Sequence, residues 1–324
     1  FLSLDQNKSK NLINIRNAIQ NNASSFITIC ELSRKELDTT IPYLIVNNIE
    51  ELYKELFFHD VEIDYSKKKL IGVTGTNGKT STCLLLAQAL SYCNKKVGVI
   101  TSEGIGVYPF LDDSEYTTPP IDVIYKNYIE LISKKCEYLI IECSSQGLQQ
   151  ERLGSIQFDY SLITNIYSDH IDYHKTLEKY IKSKLLIINK SRTVILNYDS
   201  PNLRNIKKNK YPNTNIYSIS SKNIKDKSIF NSIENIDKSK SFHPCSLLMI
   251  EAIMKLDNYK ESTIKKSILK LKPLRGRRQI INTKNKGNYI IDYAHSAQSY
   301  EDIFKSFNSD ETITTLFGCG GDRD

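Results

Sequence analysis

Tryptophan is absent from the 324 residues, methionine occurs only twice, and no proline- or serine-rich linker marks an internal boundary. The apolar stretches are short: the longest, such as Leu84 to Ala89, fall far below the ~18 residues needed to span a bilayer, and no signal peptide is recognisable, so a soluble protein is expected. No block of one charge sign is present either. Forty-four Lys and Arg against 37 Asp and Glu leave a net charge of +7 spread along the chain, which does not specify a nucleic-acid partner but suits an anionic substrate. The seven cysteines, Cys30, Cys83, Cys93, Cys136, Cys143, Cys245 and Cys319, form no CxxC pair and no Cys/His ligand spacing. Their odd number and scatter exclude a disulfide framework and point to a reducing cytosol. Abundant Asn, Ile, Lys and Tyr reflect a compositional drift without functional content. Length allows about two or three domains at roughly 150 residues each.

No repeat of 20 to 50 residues is visible, so organisation rests on the alternation of strand and helix signals. Residues 1–65 read as a first unit, with helices over Asn14–Asn21 and Asn48–Phe58, short strands over Ser25–Cys30 and Tyr43–Val46, and a charged join from Asp64 to Lys69. From Leu70 the pattern becomes βα. The run LIGV is followed by a glycine turn and a helix over Thr80–Ser91. Lys96–Ile100, Tyr138–Glu142, Tyr160–Asn165 and Thr193–Asn197 are apolar runs without clean alternation, as expected of strands buried on both faces of a parallel sheet. A helix-rich stretch, Pro244–Leu271, closes a central unit over 66–272. Strand signals at Asn288–Asp292 and Thr312–Phe317 then bracket a helix over Gln298–Phe307, opening a third unit over 273–324. Residue 1 is Phe, and the chain stops at Asp324 just after a Gly-rich turn, so truncation at both ends is expected.

The chemistry concentrates at strand ends. Gly75-Thr76-Asn77-Gly78-Lys79-Thr80-Ser81 lies between a strand and a helix and offers successive backbone N–H groups and a helix N-terminus to phosphate. Lys79 is placed to meet the β- and γ-phosphates, and the Thr80 hydroxyl to ligate Mg2+. The spacing is one residue shorter than GxxxxGK[ST], and a ligand-free glycine turn is the bland alternative. Glu142 ends the strand YLIIE, where open α/β sheets place ligand groups, although a solvent-facing Glu would look the same in isolation. Cys143-Ser144-Ser145-Gln146 adds hydroxyls. Asp169-His170-Ile171-Asp172-Tyr173-His174 follows Thr164-Asn165 and resembles a metal or phosphate neighbourhood, while helix capping would also account for it. Lys182 and Lys184 sit on a helix after Thr176 whose apolar stripe is Tyr180, Ile181, Leu185 and Ile188, and ordinary surface lysines are the plain expectation. Gly276-Arg277-Arg278, Asp292-Tyr293-Ala294-His295 and the loop Gly318–Arg323 supply cations, a carboxylate and a close-approach turn.

In order and spacing, GTNGKTS, YTTP at Tyr116–Pro119, ECSS, QxR at Gln150 and Arg152, TNIYSDHIDYH, KSK, GRR, DYAH and FGCGGDRD resemble the Mur ligase family, the MurE type most closely, from about residue 1 to 324. That resemblance implies a three-domain α/β architecture: a partial N-terminal UDP-sugar-binding domain (1–65), a central ATP-binding domain with a P-loop and a parallel sheet (66–272), and the start of a C-terminal Rossmann-like domain (273–324). It implies an ATP-dependent ligase of peptidoglycan synthesis that adds a third amino acid to UDP-N-acetylmuramoyl-L-Ala-D-Glu, with meso-diaminopimelate favoured over L-lysine. Gly75 to Ser81 would hold ATP, with Lys79 acting on its phosphates. Thr80 and Glu142 would bind one Mg2+ and His170 a second, and Lys184 would be a carbamylated lysine. Thr117, Thr118, Ser144, Gln150 and Arg152 would meet the muramoyl dipeptide, and Arg323 the incoming amino acid. Arg277 and Asp292 would close over ATP, the one toward phosphate and the other toward ribose. Asn7 to Ser9 align weakly with a nucleotide-sugar loop. A cytoplasmic monomer acting on small molecules is implied. The family pattern carries Ser-Ser-His where this chain has Ser144-Ser145-Gln146, and two Asn near adenine where it has His243 and Ser246. A folylpolyglutamate synthase-like ligase and a nucleotide-binding pseudoenzyme are the alternatives.

Overall fold

The computed structural model describes residues 1–3, 7–37, 40–47, 52, 68–221, 229–231, 242–283, 288–307 and 312–318. They fall into two compact units, Phe1–Glu62 and Ile63–Asp324.

The first unit holds a parallel three-stranded sheet of β1 (Leu2–Ser3), β2 (Phe26–Thr28) and β3 (Tyr43–Ile45), in that order, with helices α1 (Lys8–Gln20) and α2 (Arg34–Leu37). Helix α1 begins before the Asn14 expected from the apolar pattern. The Asn7 side chain accepts the Lys10 N–H at 3.2 Å and satisfies an end donor there. Ile15, Phe26, Leu32 and Leu37 form the small core. The helix expected over 48–58 lies outside the described residues, Leu52 excepted.

In the second unit a nine-stranded sheet forms from β4 (Lys69–Thr74), β5 (Val97–Thr101), β6 (Gly104–Val107), β7 (Phe110–Asp112), β8 (Tyr138–Glu142), β9 (Phe158–Ile163), β10 (Ser191–Asn197), β11 (Asn215–Ser220) and β12 (Ile229–Asn231). The strand order is β12-β11-β10-β9-β4-β8-β5-β6-β7. All neighbours from β12 to β5 are parallel, and β6 and β7 add an antiparallel hairpin edge that alternation did not reveal. Every residue of β5 and β8 is buried, which is why these strands read as unbroken apolar runs. Helix α3 (Lys79–Tyr92) buries nine of its residues, so its sequence carries little amphipathic signal. It packs with β5, α8 (Pro244–Leu256) and α9 (Glu261–Leu269) into the main core. On the other flank, α4 (Ile121–Ser133) turns Ile124, Ile129 and Ile132 inward.

Three short helices carry chemistry: α5 (Ser145–Gln149) after β8, α6 (Ile171–His174) and α7 (Leu177–Leu185) after β9. Residues 273–318 belong to this second unit, with an antiparallel pair β13 (Gln279–Asn282) and β14 (Asn288–Ile291) and helix α10 (Ala297–Phe304), whose first turn is held by a Ser296/Ser299 capping box. The strand expected over Thr312–Phe317 has no ladder partner among the described residues.

Candidate active site

Because the central strands run parallel, their carboxyl ends open on one side of the sheet, and the phosphate-loop candidate residues and Glu142 lie there. The turn after β4 is shaped by two glycines. Gly75 has φ +152° and lies so close to β9 that a Cβ there would stand 1.9 Å from Thr164 Oγ1, whereas Gly78, at φ +79°, faces open space and starts α3. The loop is clamped from β9: Asn165 Oδ1 accepts the Asn77 N–H at 2.9 Å, its amide donates to Asn77 O at 3.1 Å, and the Thr164 hydroxyl donates to Asn77 O at 2.7 Å. Thr76 Oγ1 accepts the Tyr167 N–H and lies 3.0 Å from the Tyr180 hydroxyl. These bonds fix the loop before any ligand arrives, leaving the first-turn N–H groups of α3 available to an anion.

Glu142, 1% exposed, sits at the end of β8 beside Thr80. The Thr80 hydroxyl donates to Glu142 Oε1 at 2.9 Å, and Ser102, just past β5, gives its N–H (3.0 Å) and hydroxyl (3.2 Å) to Oε2. A hydroxyl and a carboxylate of this kind suit a hard cation that keeps its remaining ligands for water and phosphate. Among the described residues no group of three or more His, Cys, Asp or Glu is placed to cage a metal.

Lys184 reaches the loop from helix α7. Its side chain is 1% exposed, its ammonium donates to Gly75 O at 2.7 Å and lies 4.7 Å from the centre of the Tyr180 ring. Burial, then the positive charge of Lys79, hold its pKa well below the ordinary lysine value. A buried ammonium is costly, and the neutral amine is a nucleophile. His170, in a left-handed conformation at φ 52°, starts α6 with its ring tilted against Tyr180 and its Nε2 3.5 Å from Asp169. His174 is 2% exposed, its Nε2 lies 3.0 Å from Ser145 Oγ, and burial followed by the charges of Lys184 and His170 lowers its pKa.

Two cavities share this floor. The first, about 380 Å3, runs from Lys79, Thr80 and Glu142 past Thr117 and His170 to His243, Ser246, Arg277 and Asp292. The second, about 280 Å3, is lined by Lys79, Thr117, Thr118, Ser144, Gln146, Arg152, His170 and Lys184. Lys79, Thr117 and His170 belong to both. Thr118 ties the second cavity together: its hydroxyl donates to Glu142 O and accepts the Ser144 N–H, each at 2.8 Å, while Arg152 donates to its carbonyl at 2.6 Å and to Gln150 Oε1 at 2.9 Å. Gln150 in turn donates to the Tyr173 hydroxyl. The Ser144 hydroxyl accepts the Gly147 N–H and caps α5.

The far end of the first cavity is built by residues 242–307. His243 N-caps α8 through Nδ1, which accepts the Cys245 N–H at 3.2 Å. Burial and the nearby Arg278 lower its pKa to about 4. Arg277 pairs with Glu103 at 2.9 Å and stacks over Tyr293, and Asp292 accepts the Arg278 N–H at 2.8 Å. Ser246 and Thr82 hydroxyls meet at 2.9 Å. The site residues expected from the sequence converge on the two cavities, apart from Gly75, which packs against Thr164, Gln150, which joins through Arg152, and Arg323, which lies outside the described residues. Ser102 was not singled out, Tyr180 was read only as part of an apolar stripe, and His174 only as a member of the Asp169–His174 run. Ser102 obeys the same strand-end rule as Glu142, whereas nothing local in the sequence marks Tyr180 as a neighbour of Thr76 or His174 as a neighbour of Ser145.

Residues 73–283, more than half of the chain, match the Mur ligase middle domain. The chain belongs to the Mur ligase family. Curated members similar to it include the UDP-N-acetylmuramoyl-L-alanyl-D-glutamate--2,6-diaminopimelate ligase of Phocaeicola vulgatus, 28% identical with 96% of this chain and 68% of the relative covered. The ligase of the same name from Helicobacter pylori is 30% identical, with 80% of this chain and 62% of the relative covered. The chain thus spans about two thirds of the length of these Mur ligases. A solved structure of a diaminopimelate ligase of this name superposes with a TM-score of 0.72 at 22% identity, covering 100% of this chain and 70% of that one. E. coli FolC in complex with DHPP and ADP superposes at 0.57, with 15% identity, 81% of this chain and 74% of that one covered, so the Mur ligase fold extends to that protein. Among the described residues no helix is long and apolar enough to cross a membrane.

Proposed function

We propose that this chain carries the ATP-dependent step that joins meso-diaminopimelate to the D-Glu carboxylate of UDP-N-acetylmuramoyl-L-Ala-D-Glu, as the names of its relatives suggest. The observation that carries the proposal is the placement of two lysines: Lys79 on the shared floor of both cavities, and Lys184 buried in the wall of the second with its amine against the loop carbonyl of Gly75. One cavity is suited to the nucleotide and the other to an anionic acceptor, and the transferred phosphoryl group would lie where they meet.

In this scheme a D-Glu carboxylate oxygen attacks the γ-phosphorus of ATP, the bond to the β–γ bridging oxygen breaks, and ADP leaves with the electron pair. The amino-acid amine then adds to the acyl carbon, inorganic phosphate departs, and the nitrogen loses a proton as the amide forms. Carboxylates are otherwise inert to amines. Gly75 to Ser81 hold the phosphates through backbone N–H groups, and Lys79 balances their charge. Thr80 and Glu142 would hold one Mg2+, and His170 with a carbamylated Lys184 a second; when bound, the ions neutralise the transferring phosphoryl group. The unprotonated amine that the burial of Lys184 favours would add to the carbon of CO2 and release a proton, leaving an anionic carbamate whose oxygens suit a hard cation. Thr117, Thr118, Ser144, Gln150 and Arg152 would orient the dipeptide, and Arg323 the amino acid. Arg277 would face phosphate and Asp292 ribose. His170 is the candidate to take the amine proton.

The scheme assigns the chain to a cytoplasmic monomer divided at about residues 65 and 272 into three domains. The deciding experiment is ADP formation by the chain with the muramoyl dipeptide and either meso-diaminopimelate, L-lysine, or a folate with glutamate. Dependence on the dipeptide and diaminopimelate is expected. Folate-dependent turnover would move the chain to the function of its FolC-like neighbours.

A further inference from the structure

We infer that Gln146 is a specificity-determining residue whose side-chain N–H groups bind an oxygen of the acceptor carboxylate in the second cavity, and that His174 positions it through Ser145. The inference rests on the function proposed above for its ligand, but not for the polarity of the relay.

Three side chains stand in a row. His174 Nε2 lies 3.0 Å from Ser145 Oγ, and the Ser145 hydroxyl donates to Gln146 Oε1 at 3.1 Å. Ser145 and His174 are 1% and 2% exposed, so water does not mediate the order. A hydroxyl has a single proton. With that proton committed to Gln146, the Ser145 oxygen can only accept from His174, and the imidazole must carry its proton on Nε2. Nδ1 is then a bare acceptor, and it is indeed buried without a partner. The opposite polarity would leave a buried N–H donor orphaned at Nδ1, which proteins avoid more strictly than a bare acceptor.

The polarity fixes what the cavity sees. Gln146 turns its oxygen inward to Ser145, which leaves its amide N–H groups for a cavity whose charged lining is Lys79, Arg152 and Lys184 against the single carboxylate of Glu115. The Thr118 hydroxyl in the same wall has given its proton to Glu142 O and accepts from Ser144 N, while the Ser144 hydroxyl accepts the Gly147 N–H as a helix cap and keeps its proton. Beside the freely rotating hydroxyls of Thr117 and Ser144, Gln146 is a neutral donor whose direction is fixed by Ser145, and it adds directional recognition of an anionic oxygen without adding charge. Carboxylate and phosphate present the same oxygens, and the kinetic arms below separate them.

The test combines kinetics and spectroscopy on the full chain. Gln146→Glu keeps the shape and the inward acceptor but replaces the donors by a carboxylate; it is expected to raise KM for the muramoyl dipeptide by roughly tenfold or more with KM for ATP unchanged. His174→Leu should raise the same KM, and His174→Gln, whose amide can reproduce the Nε2–H donor, should restore it. Imidazole 15N shifts should place the His174 proton on Nε2. An unchanged dipeptide KM in Gln146→Glu overturns the specificity role, a shift confined to ATP overturns its assignment to the carboxylate, and a proton on Nδ1 overturns the relay. If the unsubstituted chain consumes no ATP with the dipeptide, the proposed function fails, and the 15N spectrum still decides the relay.

Discussion

Lysines bury their ammonium groups rarely, and Lys184 does so against a backbone carbonyl of the loop after β4, beside Tyr180 of its own helix α7. If it acts as a carbamate, Lys184→Ala should lower turnover by at least about a hundredfold while leaving ADP binding intact, and short carboxylic acids should restore part of the rate. Turnover equal to that of the unsubstituted chain would remove Lys184 from the chemistry. His243 offers a second test. Its pKa is lowered from 6.5 to about 4, so between those values the unfolded chain binds more protons than the folded one, and stability falls as pH falls through that window. Because the ring is partly solvent-accessible, the loss should be on the order of 1 kcal/mol between pH 7 and pH 4.5, and His243→Asn, which can still cap α8, should flatten it in denaturant titrations. Lys184 looked like any surface lysine until its family resemblance was weighed. His174 stood out only as a member of the Asp169–His174 run, and its link to Ser145 was not legible because that partner is 29 residues away.

At the scale of elements, the strand–loop–helix from Lys69 to Tyr92 was legible because its signals are local: an apolar run, a glycine turn, a lysine and a helix start follow one another directly. The two glycines make opposite demands that sequence does not separate. Gly75→Ala would drive a methyl group into Thr164 and should cost more than about 2 kcal/mol and abolish nucleotide binding, whereas Gly78→Ala meets open space and should cost only about 1 kcal/mol from its positive φ. Thermal denaturation and ADP titration of the two variants check this order, and equal effects would contradict the clamp from β9. The hairpin of β6 and β7 was missed because its strands are three or four residues long and lie at an edge, where burial does not impose a clean pattern. Thr312–Phe317 has strand composition, yet a strand exists only through a neighbour, and none pairs with it among the described residues.

Across the second unit, residues far apart in the chain close one cavity over the phosphate loop. Arg277 reaches Glu103, and the Asn77 amide donates to Ser296 Oγ at 3.4 Å. Arg277→Ala should change stability by less than about 1 kcal/mol, since the pair is partly exposed, but should raise KM for ATP several-fold in steady-state assays. Such convergence from β5, α3 and the 273–307 segment is set by topology and not by any local pattern, which is why the order of motifs along the chain gave the site's members but not their contacts. The central claim is that the two cavities sharing Lys79 and His170 bring ATP to an acidic acceptor. The measurement that tests it most directly is phosphate release from ATP, with the muramoyl dipeptide and meso-diaminopimelate added singly and together. Release that requires both is predicted; release independent of the dipeptide, or ADP binding with no release under any combination, would contradict it.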